Sequence, residues 1–214
     1  MTPRTACTAV GEMLLQYYGG EFVPAQDILD SNGMIAVQKK HSTLDELIQY
    51  GVLAAEEAKS VFKIATVRNP FDSLVSLYFK QRFKYQSLVE DPASWVHRSQ
   101  RYVPRMKYAQ KHSFSRWFFR VSYRKLIKKL LLGRCSMYDD YTEGIDVVLR
   151  YESLETDLKH AFGQAGILWK WNLAMVNRTD ERPTRDYRSF YSRSAALAAR
   201  FIYSDDLKRY GYKF

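Results

Sequence analysis

Val61-Phe62-Lys63-Ile64-Ala65-Thr66-Val67 runs directly into Arg68-Asn69-Pro70, and Phe71 to Phe83 follows with Leu74, Leu77 and Tyr78 at helical spacing. The first seven residues are short, β-branched and apolar, with Lys63 their one charge, and predict a buried strand. The residues after Pro70 predict an amphipathic helix. The same alternation recurs outward from this stretch. Gly11 to Tyr18 (GEMLLQYY) reads as a helix after a short turn, and Met34 to Val37 as a short strand before a helix starting near Ser42. Asp146 to Tyr151 (DVVLRY) reads as a second apolar strand, Glu152 to Phe162 as a helix, and Ala195 to Leu207 as another. Strands alternating with helices predict an α/β fold built on a central, mostly parallel sheet flanked by helices. With no internal repeat, low-complexity tract or Pro/Gly-rich linker, residues 1–214 read as a single domain. In such a fold ligands sit at the carboxyl ends of the strands, so the strand-to-helix junctions carry the functional information.

Composition narrows the class. Hydrophobic residues at 46% and aromatics at 15% are enough for a core, which excludes a disordered chain. No apolar run approaches the ~18 residues of a membrane span. The start, MTPRTACTAV, lacks the apolar stretch of a secretory signal, which points to the cytoplasm; a trimmed chain of a Golgi-lumen enzyme would look the same. Two cysteines, Cys7 and Cys135, build neither a disulfide framework nor a four-thiolate zinc site. His41, His97, His112 and His160 show no metal-ligand spacing, so no metal is expected. The 33 Lys and Arg against 23 Asp and Glu leave a net charge of +10. That excess suits a polyanionic partner (nucleic acid, acidic lipid, acidic glycan or a phosphorylated cofactor) or simply a soluble basic surface.

Two junctions carry unusual residues. Pro3-Arg4-Thr5-Ala6-Cys7-Thr8-Ala9-Val10 leads into a helix with small and hydroxyl residues. Such a loop can close on a phosphate through its N–H groups, Thr5 and Thr8, with Arg4 adding charge. It is not GxxxxGK[ST], and a Thr-capped helix start reads equally from the residues alone. At the second junction Arg68 ends the strand and Ser76 lies about two turns into the helix, a spacing suited to one anionic group. The plainer alternative is an arginine that caps carbonyls beside a small packing serine.

Taken together these segments resemble the sulfotransferases. Arg68-Asn69-Pro70, Asp72, and Leu74-Val75-Ser76 with Tyr78 are similar to that family's 3′-phosphate-binding segment, and Pro3-Arg4-Thr5-Ala6-Cys7-Thr8 to its 5′-phosphosulfate loop. Val148 to Leu158 (VLRYESLETDL) resembles its Arg-Tyr/Phe-Glu strand and helix. Asn177-Arg178-Thr179, Tyr187 to Tyr191 and Asp205 to Phe214 resemble its C-terminal segments, in the same order along nearly the whole chain. The likeness is to the branch that acts on carbohydrates. It implies a P-loop-like domain and sulfuryl transfer from 3′-phosphoadenosine 5′-phosphosulfate (PAPS) to a hydroxyl, leaving 3′-phosphoadenosine 5′-phosphate (PAP). It further implies that Thr5, Ala6, Cys7, Thr8 and Ala9 cradle the 5′-phosphate and that Arg4 stabilises the departing phosphate. Arg68 with Ser76 would bind the 3′-phosphate.

A third junction gains meaning from that likeness. Thr43 and Glu46 are spaced as a capping box, which places His41 just before a helix start. Related carbohydrate sulfotransferases carry a catalytic base at about this place, and an imidazole removes a hydroxyl proton near neutral pH. A solvated histidine in a Lys-rich turn is the bland alternative, with Asp45 and Glu46 as substitute bases. Three departures stand out. The family's apolar strand before the loop has no counterpart ahead of Pro3, either because the sequence begins after it or because the sheet has one member fewer; the usual loop lysine is Arg4, and Ser73 stands where many relatives have arginine. Arg178, Arg182, Arg185 and Arg188 form an Arg-rich loop that suits closure over a nucleotide.

Phe114 to Arg134 (FSRWFFRVSYRKLIKKLLLGR) reads either as a grip on an acidic glycan or a membrane surface, or as a helix pair with aliphatic residues inward. Two other functions stay open from the residues: a nucleotide-binding phosphotransferase, against which the missing Walker lysine counts, and a non-catalytic basic module that binds nucleotide or nucleic acid. The resemblance sets both behind a carbohydrate or related hydroxyl acceptor and makes nucleic acid an unexpected partner.

Overall fold

The computed structural model describes residues 1–170 and 182–214. In chain order the helices and strands are α1 (Cys7–Tyr18), β1 (Ile28–Leu29), β2 (Ile35–Val37), α2 (Leu44–Gln49), α3 (Ala55–Ser60), β3 (Ile64–Val67), α4 (Pro70–Phe79), α5 (Gln86–Glu90), α6 (Tyr102–Lys111), α7 (Phe114–Leu132), α8 (Asp139–Thr142), β4 (Val147–Arg150), α9 (Leu154–Gln164), α10 (Arg193–Ile202) and α11 (Ser204–Arg209). The fold is mixed α/β and mostly helical. Among the described residues the strands form two pairs: β1 with β2, antiparallel, and β3 with β4, parallel. The central sheet expected from the sequence is present in them only as the β3–β4 pair.

The residues group into two units: Met1–Arg68 with 138–170, and Asn69–Met137 with 182–214. The first unit is held by the parallel pair and two helices. Val10 and Met13 of α1, Leu149 of β4, and Leu154, Leu158, Ala161 and Phe162 of α9 form its core. On α9 those positions recur at i, i+4, i+7 and i+8, one face of a helix. The register is Ile64↔Val147 through Val67↔Arg150. Strand β3 starts only at Ile64, because α3 runs to Ser60 and leaves Val61 and Phe62 exposed in the connection.

The second unit is helical, built on Phe71, Val75, Trp117, Phe118, Ala199 and Ile202 of α4, α7 and α10. Helix α4 opens with Pro70 in its first turn, where a missing N–H costs nothing. The Asn69 side chain caps it by accepting from the Phe71 N–H (3.1 Å). The helix predicted over Phe71 to Phe83 is α4 plus a π-helical turn, Lys80–Lys84, in which the buried Gln81 accepts the Trp117 indole N–H at 2.9 Å. The helix predicted over Ala195 to Leu207 is two, divided at Tyr203. Phe114 to Arg134 is a correction. It is one 19-residue helix rather than a pair, ended by Gly133 at φ 68°, and its leucines Leu130, Leu131 and Leu132 point outward.

Candidate active site

The first unit brings three sequence segments together. The β3–β4 register, carried one residue further, sets Arg68 beside Tyr151, and the Arg68 guanidinium lies 4.0 Å from the centre of that ring. Arg68 also donates from Nη1 to the carbonyl of Arg4 at 3.1 Å, so the loop before α1 is tied to the end of β3. Its own carbonyl accepts the Tyr138 hydroxyl at 2.6 Å. Arg68 therefore does what the plainer alternative proposed, capping a carbonyl, and in doing so joins the two segments.

The loop is shaped by two residues in the left-handed region, Arg4 at φ 70° and Ala6 at φ 63°. A non-glycine residue pays for such a backbone with strain, which surrounding contacts must hold in place. Thr5 supplies those contacts. It is fully buried, donates its hydroxyl hydrogen to the Thr2 carbonyl at 2.8 Å and bonds the Thr66 hydroxyl of β3. The Thr5 hydroxyl, read from sequence as a phosphate donor, is thus turned inward as an anchor. Its hydrogen is already given, leaving the backbone N–H as its means of touching a ligand.

Helix α1 begins at Cys7 with Ala6 in the capping position and no side chain capping it, so the Thr-capped start is not what forms. The first backbone bond of the helix is Val10 N–H to the Ala6 carbonyl (3.1 Å), which places the N–H groups of Cys7, Thr8 and Ala9 ahead of the i→i−4 ladder. An uncapped start of a twelve-residue helix, after alternating left-handed residues, is a donor set that fits a phosphate group. Cys7 and Ala9 are buried and Thr8 half-buried, so the site is backbone more than side chain.

His41 is held against the same loop. Its Nδ1 lies 3.0 Å from the Met1 carbonyl, and its own carbonyl accepts the Tyr141 hydroxyl at 3.1 Å. A carbonyl only accepts, so Nδ1 carries the hydrogen and the neutral ring keeps its lone pair on Nε2. The capping box behind it is complete: the Glu46 N–H donates to Thr43 Oγ1 (3.1 Å) and the Thr43 N–H to Glu46 Oε2 (2.8 Å). Glu46 is occupied by that cap, whereas Asp45 is exposed.

A family model described as the sulfotransferase family matches residues 1–213. The chain belongs to the sulfotransferase family. No curated protein matches it, and no solved structure does. Among the described residues of this sulfotransferase-family chain, no group of three or more His, Cys, Asp or Glu is arranged to hold a metal ion.

The remaining sequence candidates lie in the second unit. Ser76 is buried in α4, as is Ser73. Asn69, besides capping α4, donates to the Tyr187 hydroxyl (3.1 Å) and the Lys213 carbonyl (2.9 Å). Of the Arg-rich loop, Asn177, Arg178 and Thr179 lie outside the described residues. Arg182 is ion-paired with Asp72 at 2.6 Å, and Arg188 lies over the Tyr187 ring. Sequence reasoning missed Tyr151, Tyr138, Tyr141 and Thr66. Tyr151 had a signal, since it stands in the quoted Arg150-Tyr151-Glu152 segment, and Thr66 is a lone hydroxyl in an apolar strand.

Proposed function

We propose that this chain moves a sulfuryl group from PAPS to a hydroxyl of a carbohydrate or related small acceptor, with His41 as the base, within one sulfotransferase-like domain spanning 1–214. The observation that carries the reading is the 3.1 Å bond from Arg68 to the Arg4 carbonyl. It joins the segments that resemble the family's 3′-phosphate and 5′-phosphosulfate sites. When bound, PAPS supplies the sulfuryl group and leaves as PAP with the electron pair of the broken bond.

The chain's own residues then have distinct tasks. The N–H groups of Thr5, Ala6, Cys7, Thr8 and Ala9 hold the 5′-phosphate, and Arg4 adds charge where negative charge develops. Arg4 keeps the charge of the family's usual lysine but offers a planar fork in place of a compact ammonium. Arg68, fixed by the Tyr151 ring, faces the 3′-phosphate. Ser76 joins it on the strength of the sequence pattern. His41 Nε2 takes the proton of the acceptor hydroxyl, with the Met1 carbonyl holding Nδ1–H and stabilising the imidazolium that forms.

Labelled PAPS offered with a panel of sugar and small-alcohol acceptors tests this. Transfer to at least one hydroxyl acceptor is expected. His41→Ala should lower turnover roughly 100- to 10,000-fold while PAP binding is kept. An unchanged rate removes His41 as base, and an absence of transfer by a chain that binds PAP overturns the catalytic reading.

A further inference from the structure

The charge of this protein is segregated along its length. Residues 92–138 hold 12 of the 33 Lys and Arg and none of the 23 Asp and Glu, so the rest of the chain carries 21 cationic against 23 acidic residues. The whole positive excess therefore sits on α6, α7 and their flanks. On α7 the cations divide into two sets. Lys129 is buried and paired with Asp205 at 2.9 Å, and Lys125 lies 5.1 Å over the buried Tyr203 ring. Those two serve the packing. Arg116, Arg120, Arg124 and Lys128 instead recur every fourth residue on the exposed side.

Beside this cationic row runs a second, apolar one. Phe119, Tyr123, Ile127 and Leu131 also recur every fourth residue and are all exposed, with Leu130 at 65% and Leu131 at 77%. Arg101, at the start of α6, and Arg105 within it add two more cations. Together with Arg120 and Arg124 they line a groove of about 450 Å³ that also takes in Tyr108 and Tyr123. Among the described residues no carboxylate pairs with any of these four arginines. Burial first, and then Arg101 and Arg124, hold the Arg105 guanidinium below its ordinary value. Like charges at i, i+4 destabilise a helix, so the fold tolerates this row at a cost.

A purely polyanionic partner such as a glycan or nucleic acid would account for the arginines but not for an outward row of phenylalanine, isoleucine and leucines. An anionic bilayer accounts for both: acyl chains and the headgroup boundary take the apolar row, and phosphates take the arginines. No helix among the described residues is long and apolar enough to cross a membrane, so the contact would lie along the surface. We propose that the exposed face of α7, with Arg105 of α6 and Arg101 just before it, docks the protein on a membrane surface rich in anionic phospholipid.

Co-sedimentation of the full chain with vesicles of phosphatidylcholine, alone or with about 30% phosphatidylserine, tests this. The wild-type chain should partition onto the anionic vesicles at least about tenfold better than onto the neutral ones. Arg120→Glu with Arg124→Glu, and separately Leu130→Ser with Leu131→Ser, should each lower that partitioning about tenfold or more. All four positions are exposed, so both variants should melt as the wild type does, and Arg120→Ala with Arg124→Ala repeats the test with a milder change. Equal binding to neutral and anionic vesicles, or binding to neither, overturns the proposal. So does a leucine variant that binds as well as the wild type while heparin competes, which would make this face a polyelectrolyte site.

Discussion

Arg68 does two jobs with one side chain, and its neighbours divide them. The Tyr151 ring holds the guanidinium plane, and the Arg4 carbonyl takes one of its donors. Tyr151→Phe keeps the ring and should leave PAP affinity near that of the wild type. Tyr151→Ala should weaken it roughly 2- to 30-fold, the span of a cation–π contact, as read by titration calorimetry. Equal affinities for the two variants would remove the ring from the account. Thr5 shows the converse, a residue whose chemistry suggested a ligand contact and whose hydroxyl is spent on the fold. Thr5→Val should therefore cost stability, roughly 1–3 kcal/mol in a denaturant melt, because the Thr2 carbonyl and Thr66 hydroxyl lose a buried partner.

At the scale of elements, α2 is where local sequence and proposed chemistry meet. Its capping box sets the cap, Thr43, two residues after His41 and the first helical residue, Leu44, three after it. Thr43→Ala should destabilise the chain by about 1 kcal/mol and lower kcat with little change in PAP affinity, and Thr43→Ser should restore both. A fall in PAP affinity without a fall in kcat would contradict the positioning role. This cap was readable from two residues three apart, Thr43 and Glu46, as were β3 and β4 from their apolar runs. What could not be read depended on distant partners. The π turn after α4 is stabilised by Gln81 meeting Trp117, 36 positions away. The loop's left-handed Arg4 and Ala6 are held by Thr66 and Arg68, far along the chain, and no spacing rule encodes that. The segment 114–134 misled because its apolar residues looked spaced for burial. Helical periodicity says which residues share a face, not whether a partner covers it, and the covered face turned out to hold Phe114, Trp117, Phe118 and Ser122.

At the scale of the whole chain, the charge inventory sets the conditions of stability. Asp146 and Asp205 sit below their ordinary 3.8. For Asp146 the Lys63 N–H and ammonium lower it; for Asp205 partial burial pushes upward but the Cys135 N–H and Lys129 outweigh it. A lowered carboxylate contributes stability above about pH 4 that is lost as pH falls through the folded value. Burial raises the Tyr203 phenol above its ordinary 10, despite Lys125, so its contribution is present below pH ~10 and lost as pH rises further. Melting temperature should thus fall on the acid side below about pH 4 and on the alkaline side above about pH 10, and Tyr203→Phe should flatten part of the alkaline limb, which Tyr78, Tyr187 and Tyr191, also raised by burial, share with it. An alkaline limb unchanged in that variant would assign it elsewhere. The claim on which the functional account rests is that the chain recognises a nucleotide phosphorylated at both 3′ and 5′ positions. Titration calorimetry with PAP and, separately, with ATP measures this most directly. The account predicts saturable binding of PAP at least about tenfold tighter than that of ATP, a difference of ~1.4 kcal/mol. Equal binding of the two nucleotides, or binding of ATP alone, would contradict it.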